Sequence, residues 1–505
     1  MTKKKTTTEK EIPRPPVVAI MGHIDHGKST LLDFIRKTNV VAKEAGGITQ
    51  HVSAYEITHP DPETKELKRI TFIDTPGHEA FGGMRGRGAQ IADLAVLVVS
   101  AEDGVKAQTL EVLSVLKKSA TPFIVAITKI DKPNASVDRA KQSLAENEVL
   151  VEGYGGNISV VPISGKTGEG IPELLDTILL TALLEEFKGN PQKNATGFVL
   201  EASVSARRGV EATVVIKEGT LRPGMFIVIG SEVTKVRQLE GTAKEKMTEA
   251  SFSTPLHLEG LSALPLAGDT FSSFLTKEEA DKEAFIGKEL LQKKKTERKV
   301  MKEGVRTIPI IIRADVLGTL EAVLGEISKI EEVGIETDII DSAVGHITEG
   351  DVKLAAAKPD TLILGFNVKV EGPAQDLALR QGITLRTFDL IYELVEFVKK
   401  TLEERKPKDT TVVATGKARV IRLFGKTKQK QVVGCSVLEG VVKVKQQFKI
   451  LRNSFEIGRG EVSEVQVARL KVKEVPAGEQ CGLMLETKTT LAMSDILELF
   501  DLVEN

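Results

Sequence analysis

Gly22-His-Ile-Asp-His-Gly27-Lys28-Ser29 fits the pattern G-x-x-x-x-G-K-[ST] and follows the apolar run Val17 to Met21. The two glycines let the backbone curl so that successive N–H groups converge on one phosphate chain. The N-terminus of the following helix adds its partial positive charge. Lys28 is placed to reach β- and γ-phosphates and the Ser29 hydroxyl to ligate Mg²⁺. On this reading Gly22, His23, Asp25, His26, Gly27, Lys28, Ser29 and Thr30 form the nucleotide-binding loop. A second apolar strand, from Arg69, ends in Asp74-Thr-Pro-Gly77-His78. There Asp74 holds Mg²⁺ through water and Gly77 offers its N–H to the γ-phosphate. A third, from Phe123, ends in Thr128-Lys129-Ile-Asp131. The Asp131 carboxylate accepts both N1–H and N2–H₂ of guanine, and adenine has no such donor pair, so the expected nucleotide is GTP. A fourth, Ile158 to Ile163, ends in Ser164-Gly165-Lys166, a loop suited to close over the base. An ordinary glycine turn would explain the first motif alone, but not four elements in this order.

The set GHIDHGKS, GGIT, DTPGH, TKID and SGK resembles the translational GTPases. With the C-terminal half included, the resemblance is to bacterial translation initiation factor two. It implies GTP and Mg²⁺ as cofactors, Thr49 closing on Mg²⁺ and γ-phosphate, and His78 as the residue that orients the attacking water. One departure is Thr128, where that family usually has Asn: one hydroxyl replaces an amide, which bears on guanine affinity. Two rival readings are a metabolic GTPase of the sulfate-activation type and a non-catalytic RNA-binding carrier. The first shares GHIDHGKS but has no reason to carry residues 305–407; the second has no use for Thr49, Asp74 and His78 together.

A chain of 505 residues is too long for one core, so several domains must position these residues. The fold class expected is multidomain α/β plus β-barrels. Residues 1–14 are polar and proline-closed, a disordered tail. Residues 15–188 alternate strands and helices, the signature of a parallel sheet covered on both faces, with the ligand loops at the strands' carboxyl ends. Met84-Arg-Gly-Arg-Gly88 reads either as an RNA contact or as a mobile glycine loop. Residues 195–275 are short β-branched runs broken by Gly and Pro, a small antiparallel barrel, with Arg207-Arg208-Gly209 in a hairpin that is either a contact or a solvated turn. Residues 276–304 read as a solvated helical spacer, 305–386 as an α/β/α domain and 387–408 as a long connector helix ending at Lys406-Pro407. Asp315, His346 and Glu349 read as caps and turn residues. Residues 409–505 are another β-rich barrel.

Composition excludes several classes. A formal charge of −2 makes this no general polyanion binder. Two cysteines form no disulfide framework and suggest a reducing compartment, and the seven histidines lack zinc-site spacing. With neither a signal peptide nor an apolar run of about 18 residues, the expected location is the cytoplasm, with no membrane partner. No Trp and three Tyr argue against base-stacking platforms.

Between Asp409 and Thr490, 15 Lys and Arg stand against 8 Asp and Glu, an excess of +7 that is either an RNA footprint or a solvated barrel face. Lys417, Arg419, Arg422, Lys426, Lys428 and Lys430 are densest. The resemblance makes VVGCSVLEGVVK and QCGLML the paired strands that hold the formylmethionyl end of initiator tRNA. It implies a pocket lined by Cys435 and Cys481, with Gly482, Arg469, Lys471 and Gln480 nearby. As bare residues, two cysteines are more often small core hydrophobes. Gln480 stands where the family usually has Glu. The implied partners are the small ribosomal subunit, then the large one, and formylmethionyl initiator tRNA, with room for other initiation factors. The expected state is a monomer.

Overall fold

The computed structural model describes residues 11–37, 49–205, 207–242, 244–292, 306–330, 335–406, 410–426, 430–452, 455–468 and 470–504. The chain divides into two compact units, Met1–Arg405 and Lys406–Asn505.

The nucleotide domain's six-stranded sheet has the order Ser53–Pro60, Leu67–Asp74, Val17–Gly22, Leu94–Ser100, Phe123–Thr128, Val160–Pro162. Only Ser53–Pro60 runs antiparallel to its neighbour. Successive side chains point to opposite faces, so a strand covered on both sides is apolar throughout. Val18 and Ile20 pack with Leu31 and Leu32 of the helix Lys28–Arg36 and Leu174 of Ile171–Leu184. Ala19 and Met21 pack on the other face with Val112 and Leu116 of Ala107–Ser119. Part of the stretch read as a tail is built into this unit: Ile12 and Pro13 pair with Gly189 and Lys188, and Arg14 meets the Asp93 carboxylate. The reason is that Asp93 is buried and needs a cation. Residues 1–10 lie outside the described residues.

Eight antiparallel strands between Thr196 and Phe274 surround a core that includes Val214, Ile227, Leu256 and Phe271. The helix Lys277–Gln292, read as a solvated spacer, lays Ala280 and Ala284 on Val228 of this sheet; residues 293–304 lie outside the described residues. The α/β/α module has a parallel sheet ordered Ile335–Val344, Arg306–Ala314, Leu362–Phe366, Thr384–Phe388. Ile310 and Ile312 point to one face and Ile311 to the other. The helix Ile391–Arg405, read as a connector, buries Ile391, Leu394, Val398 and Leu402 with Leu320 and Val323 in one core. An apolar stripe at that spacing needs a partner, and the sheet face supplies one.

In the second unit six strands close into a barrel: Thr410–Lys426, Ile496–Glu504, Gln447–Arg452, Phe455–Val467, Gln480–Thr487 and Lys430–Lys443, the last pairing back to the first. Its core includes Val433, Phe448, Leu483 and Leu497. No helix among the described residues is long and apolar enough to cross a membrane.

Candidate functional site

The strand ends of the nucleotide domain surround a cavity of about 340 Å³ lined by Ile24, Asp25, Gly27, Lys28, Ser29, Thr30, Thr49, Gly77, His78, Thr128, Lys129, Asp131, Lys132, Gly165 and Lys166. Of the residues expected from the sequence, Gly22, His23, His26, Asp74 and Ser164 stand behind that lining. Gly22 has φ +152°, and a Cβ there would sit 2.4 Å from the Val98 carbonyl oxygen, so only glycine lets the strand's end lie this close to its neighbour. His26 is a packing residue: buried, with Nδ1 accepting from the Ser100 N–H at 3.4 Å, its pKa is pushed down by burial to about 4. It stays neutral and directs no charge at a phosphate.

Lys28 is buried and donates to the carbonyls of Gly22 at 3.0 Å and His23 at 2.6 Å. Burial lowers its pKa to about 8, against the opposing pull of Asp74. Gly77 approaches it so closely that a Cβ would lie 2.4 Å from Nζ. Ser29 Oγ lies 2.9 Å from Thr49 Oγ1, and Asp74 is buried at the end of its strand. Two hydroxyls and a carboxylate are hard oxygen donors, a set that fits Mg²⁺. The preceding Gly46-Gly-Ile lies outside the described residues.

His78 caps the short turn Glu79–Phe81: its Nδ1 accepts from the Ala80 N–H at 2.9 Å. That bond assigns the neutral ring's proton to Nε2. Burial lowers its pKa from the ordinary value. Both arginines of Met84–Gly88 depart from the sequence readings, because the segment is helical, Gly82–Ile91. Arg85 is 1% exposed and donates to the carbonyls of Pro76 and His78 and to Glu111, so it holds the loop that carries His78. Arg87 pairs with Glu321 of the α/β module at 2.7 Å. A buried arginine bonded to main-chain carbonyls leaves no pattern in a sequence, so this role is legible only in the fold. Arg208 pairs with Glu211 at 3.0 Å and with Glu259.

At the other end of the cavity Ser164 donates to Asp131 at 2.7 Å, which leads the influences holding the carboxylate's pKa below its usual value. Thr128 donates to the carbonyl of His26. Gln108, which the sequence did not single out, accepts from the Ile24 N–H at 2.9 Å and ties the phosphate loop to the helix Ala107–Ser119.

In the second unit Cys435 and Cys481 are cross-strand partners, 1% and 5% exposed, inside the barrel core. Burial pushes the Cys435 thiol up, and Cys481 to about 11. The expected cysteine-lined pocket is therefore corrected: strand alternation turns both thiols inward. The adjoining pair Gly434 and Gly482 faces outward, with Phe424 over Gly434 and Gln466 beside Gly482. Gln480 and Lys471 are exposed, Lys471 pairing with Glu464 at 2.6 Å. Arg469 and Lys428 lie outside the described residues. Within the expected basic patch Lys417 pairs with Glu439 at 3.6 Å and Lys430 with Glu486 at 2.8 Å, so part of the local charge is neutralised.

Three family models match: Elongation factor Tu GTP binding domain over residues 14–183, Elongation factor G domain 2 over 194–274, and Translation-initiation factor 2 over 285–399. The chain is 40% identical over 502 residues to translation initiation factor IF-2 of a Nitratiruptor species, covering 97% of this chain and 59% of that protein. To the protein of that name from a Geobacillus species it is 38% identical over 504 residues, covering 98% and 68%. Against the first of these the chain thus spans less than two thirds of the relative's length. GDP-bound aIF5B from Aeropyrum pernix aligns at 28% identity over 97% of this chain and 92% of its own, with a TM-score of 0.46.

Proposed function

Because the chain belongs to the translation initiation factor IF-2 family, we propose that it binds GTP with Mg²⁺ in the nucleotide-domain cavity and brings formylmethionyl initiator tRNA to the small ribosomal subunit. It then promotes joining of the large subunit and hydrolyses GTP when the ribosome stimulates it, acting as a cytoplasmic monomer. The observation that carries this is the convergence of Lys28, Ser29, Thr49 and His78 at one end of a single cavity and Thr128, Asp131 and Gly165 at the other.

The phosphate-loop N–H groups and the N-terminus of Lys28–Arg36 cradle the phosphates, and Lys28 turns from its own loop carbonyls to the β- and γ-oxygens. Ser29 and Thr49 would hold Mg²⁺, with Asp74 through water, and the ion would neutralise charge on the phosphates. Asp131 takes the guanine edge while Ser164 fixes its orientation. His78, neutral and with Nε2 carrying the proton, orients the attacking water as a hydrogen-bond donor. The outward face of the barrel at Gly434 and Gly482 receives the formylated aminoacyl end, with the exposed Gln480 and Lys471 on the same unit. A blocked amino group carries no charge to desolvate on binding, whereas a free ammonium does and is penalised to the extent that it is buried.

Co-sedimentation with small ribosomal subunits tests the reading. Retention should be strong with a non-hydrolysable GTP analogue and weak with GDP; absent or nucleotide-independent retention would overturn it.

A further inference from the structure

We propose that Tyr392, outside the nucleotide domain, is a positioning residue for hydrolysis: it restrains the His78 imidazole until a partner displaces it. This rests on the reading of His78 as the residue that orients water. The Tyr392 ring meets the His78 ring edge-on, with centroids 4.4 Å apart and planes at 77°. On another side stands Phe81, at 6.0 Å and 73°, and Nδ1 is occupied by the Ala80 N–H. Two of these three restraints belong to the nucleotide domain itself; the third is supplied by the α/β module.

Tyr392 is the second residue of the helix Ile391–Arg405, whose buried stripe packs in the core that joins the α/β module to Phe81 and Met84 of the nucleotide domain. Burial, and after it the Asp25 carboxylate, raise its phenol pKa from the ordinary value. Three residues earlier, the Asp389 carbonyl accepts from Gln50 Nε2 at 2.9 Å. Gln50 adjoins Thr49, so one corner of the α/β module, 389–392, touches the segment that carries Thr49 as well as His78. A shift of this corner therefore alters both groups at once.

An edge-on aromatic contact changes a population ratio by about two- to ten-fold. The test measures the Tyr392 variants as the full chain without ribosomes, and His78→Ala with them. Tyr392→Ala should raise kcat for GTP hydrolysis by about that factor with KM unchanged. Tyr392→Leu, which keeps apolar bulk for folding but removes the ring, should do the same. Tyr392→Phe, which keeps the ring, should match the parent, and adding His78→Ala to Tyr392→Ala should abolish the gain. An unchanged or lowered kcat in both ring-less variants, with His78→Ala still inactive on ribosomes, overturns the role of Tyr392 alone. Normal ribosome-stimulated turnover by His78→Ala overturns the reading of His78 beneath it.

Discussion

The hydroxyl of Thr128 donates to the main-chain carbonyl of His26, joining the strand that leads to the base-recognition loop to the loop that surrounds the phosphates. Both residues are buried, and Thr128 lies within 3.7 Å of the space a Gly27 side chain would take. A single hydroxyl thus makes the inter-loop tie at the position where the resemblance led one to expect an amide. Thr128→Val removes the donor without changing shape and leaves a buried acceptor, a loss of about 1–3 kcal/mol. GTP and GDP should both bind about ten-fold more weakly, or worse, in equilibrium titration. Unchanged affinity would mean that the tie does not position the base loop.

Asp131→Asn replaces an acceptor by a mixed group and should move preference from guanine toward xanthine nucleotides. Competition binding with the two triphosphates reads this directly. Undiminished GTP affinity would remove Asp131 from the base site.

His78→Ala should leave GTP affinity near that of the parent and reduce ribosome-stimulated turnover by about 10²–10⁴, the range for a positioned proton-transfer or hydrogen-bonding group. Lys28→Ala should instead weaken binding itself. Single-turnover hydrolysis beside nucleotide titration separates the two effects.

The buried Asp93 carboxylate is held by Arg14 through two bonds of 2.5 Å, by Lys217 and by the Val17 N–H at 2.9 Å. Burial by itself would raise its pKa; Arg14 and Lys217 outweigh burial and hold it below the usual carboxylate range. A folded-state pKa below the unfolded value, about 3.9, stabilises the fold above that pH. The contribution is lost as pH falls through the folded-state value. Asp93→Ala leaves two part-buried cations without their carboxylate and should cost about 3 kcal/mol at neutral pH. It should also flatten the acid limb of the stability profile below about pH 4. Urea unfolding across pH 2 to 7 measures both, and an unaltered acid limb would assign that limb to other carboxylates.

The compact unit Lys406–Asn505 should fold as a separate fragment and protect formylated methionyl-tRNA from deacylation better than the unformylated form. Gly482 has space around it, since a Cβ at that position would lie 3.9 Å from its nearest neighbours, so Gly482→Val should fold while adding bulk to the outward face. It should abolish the preference. Cys435→Ala should lower stability by about 1–2 kcal/mol and keep the preference, because the thiol lies in the core. The reverse pattern would restore a cysteine-lined pocket.

The local chemistry of this protein is written in consecutive residues. The phosphate loop, DTPGH, TKID and SGK each combine a buried strand with the turn that follows it, and backbone geometry confines each motif to the strand's carboxyl end. Continuous apolar runs and short β-branched segments broken by Gly and Pro likewise made the sheets legible. Tertiary structure alone decided which side chains meet across the modules. Arg85 and Arg87 look solvated in a glycine-rich stretch until a helix turns one toward Glu111 and the other toward Glu321. Cys435 and Cys481 could have faced either side of the barrel until strand register chose the interior, since a shift of one residue would turn them out. Tyr392 carries no motif at all. Its place beside His78 depends on an amphipathic stripe more than 300 residues along the chain packing into a shared core, an energy no local pattern encodes.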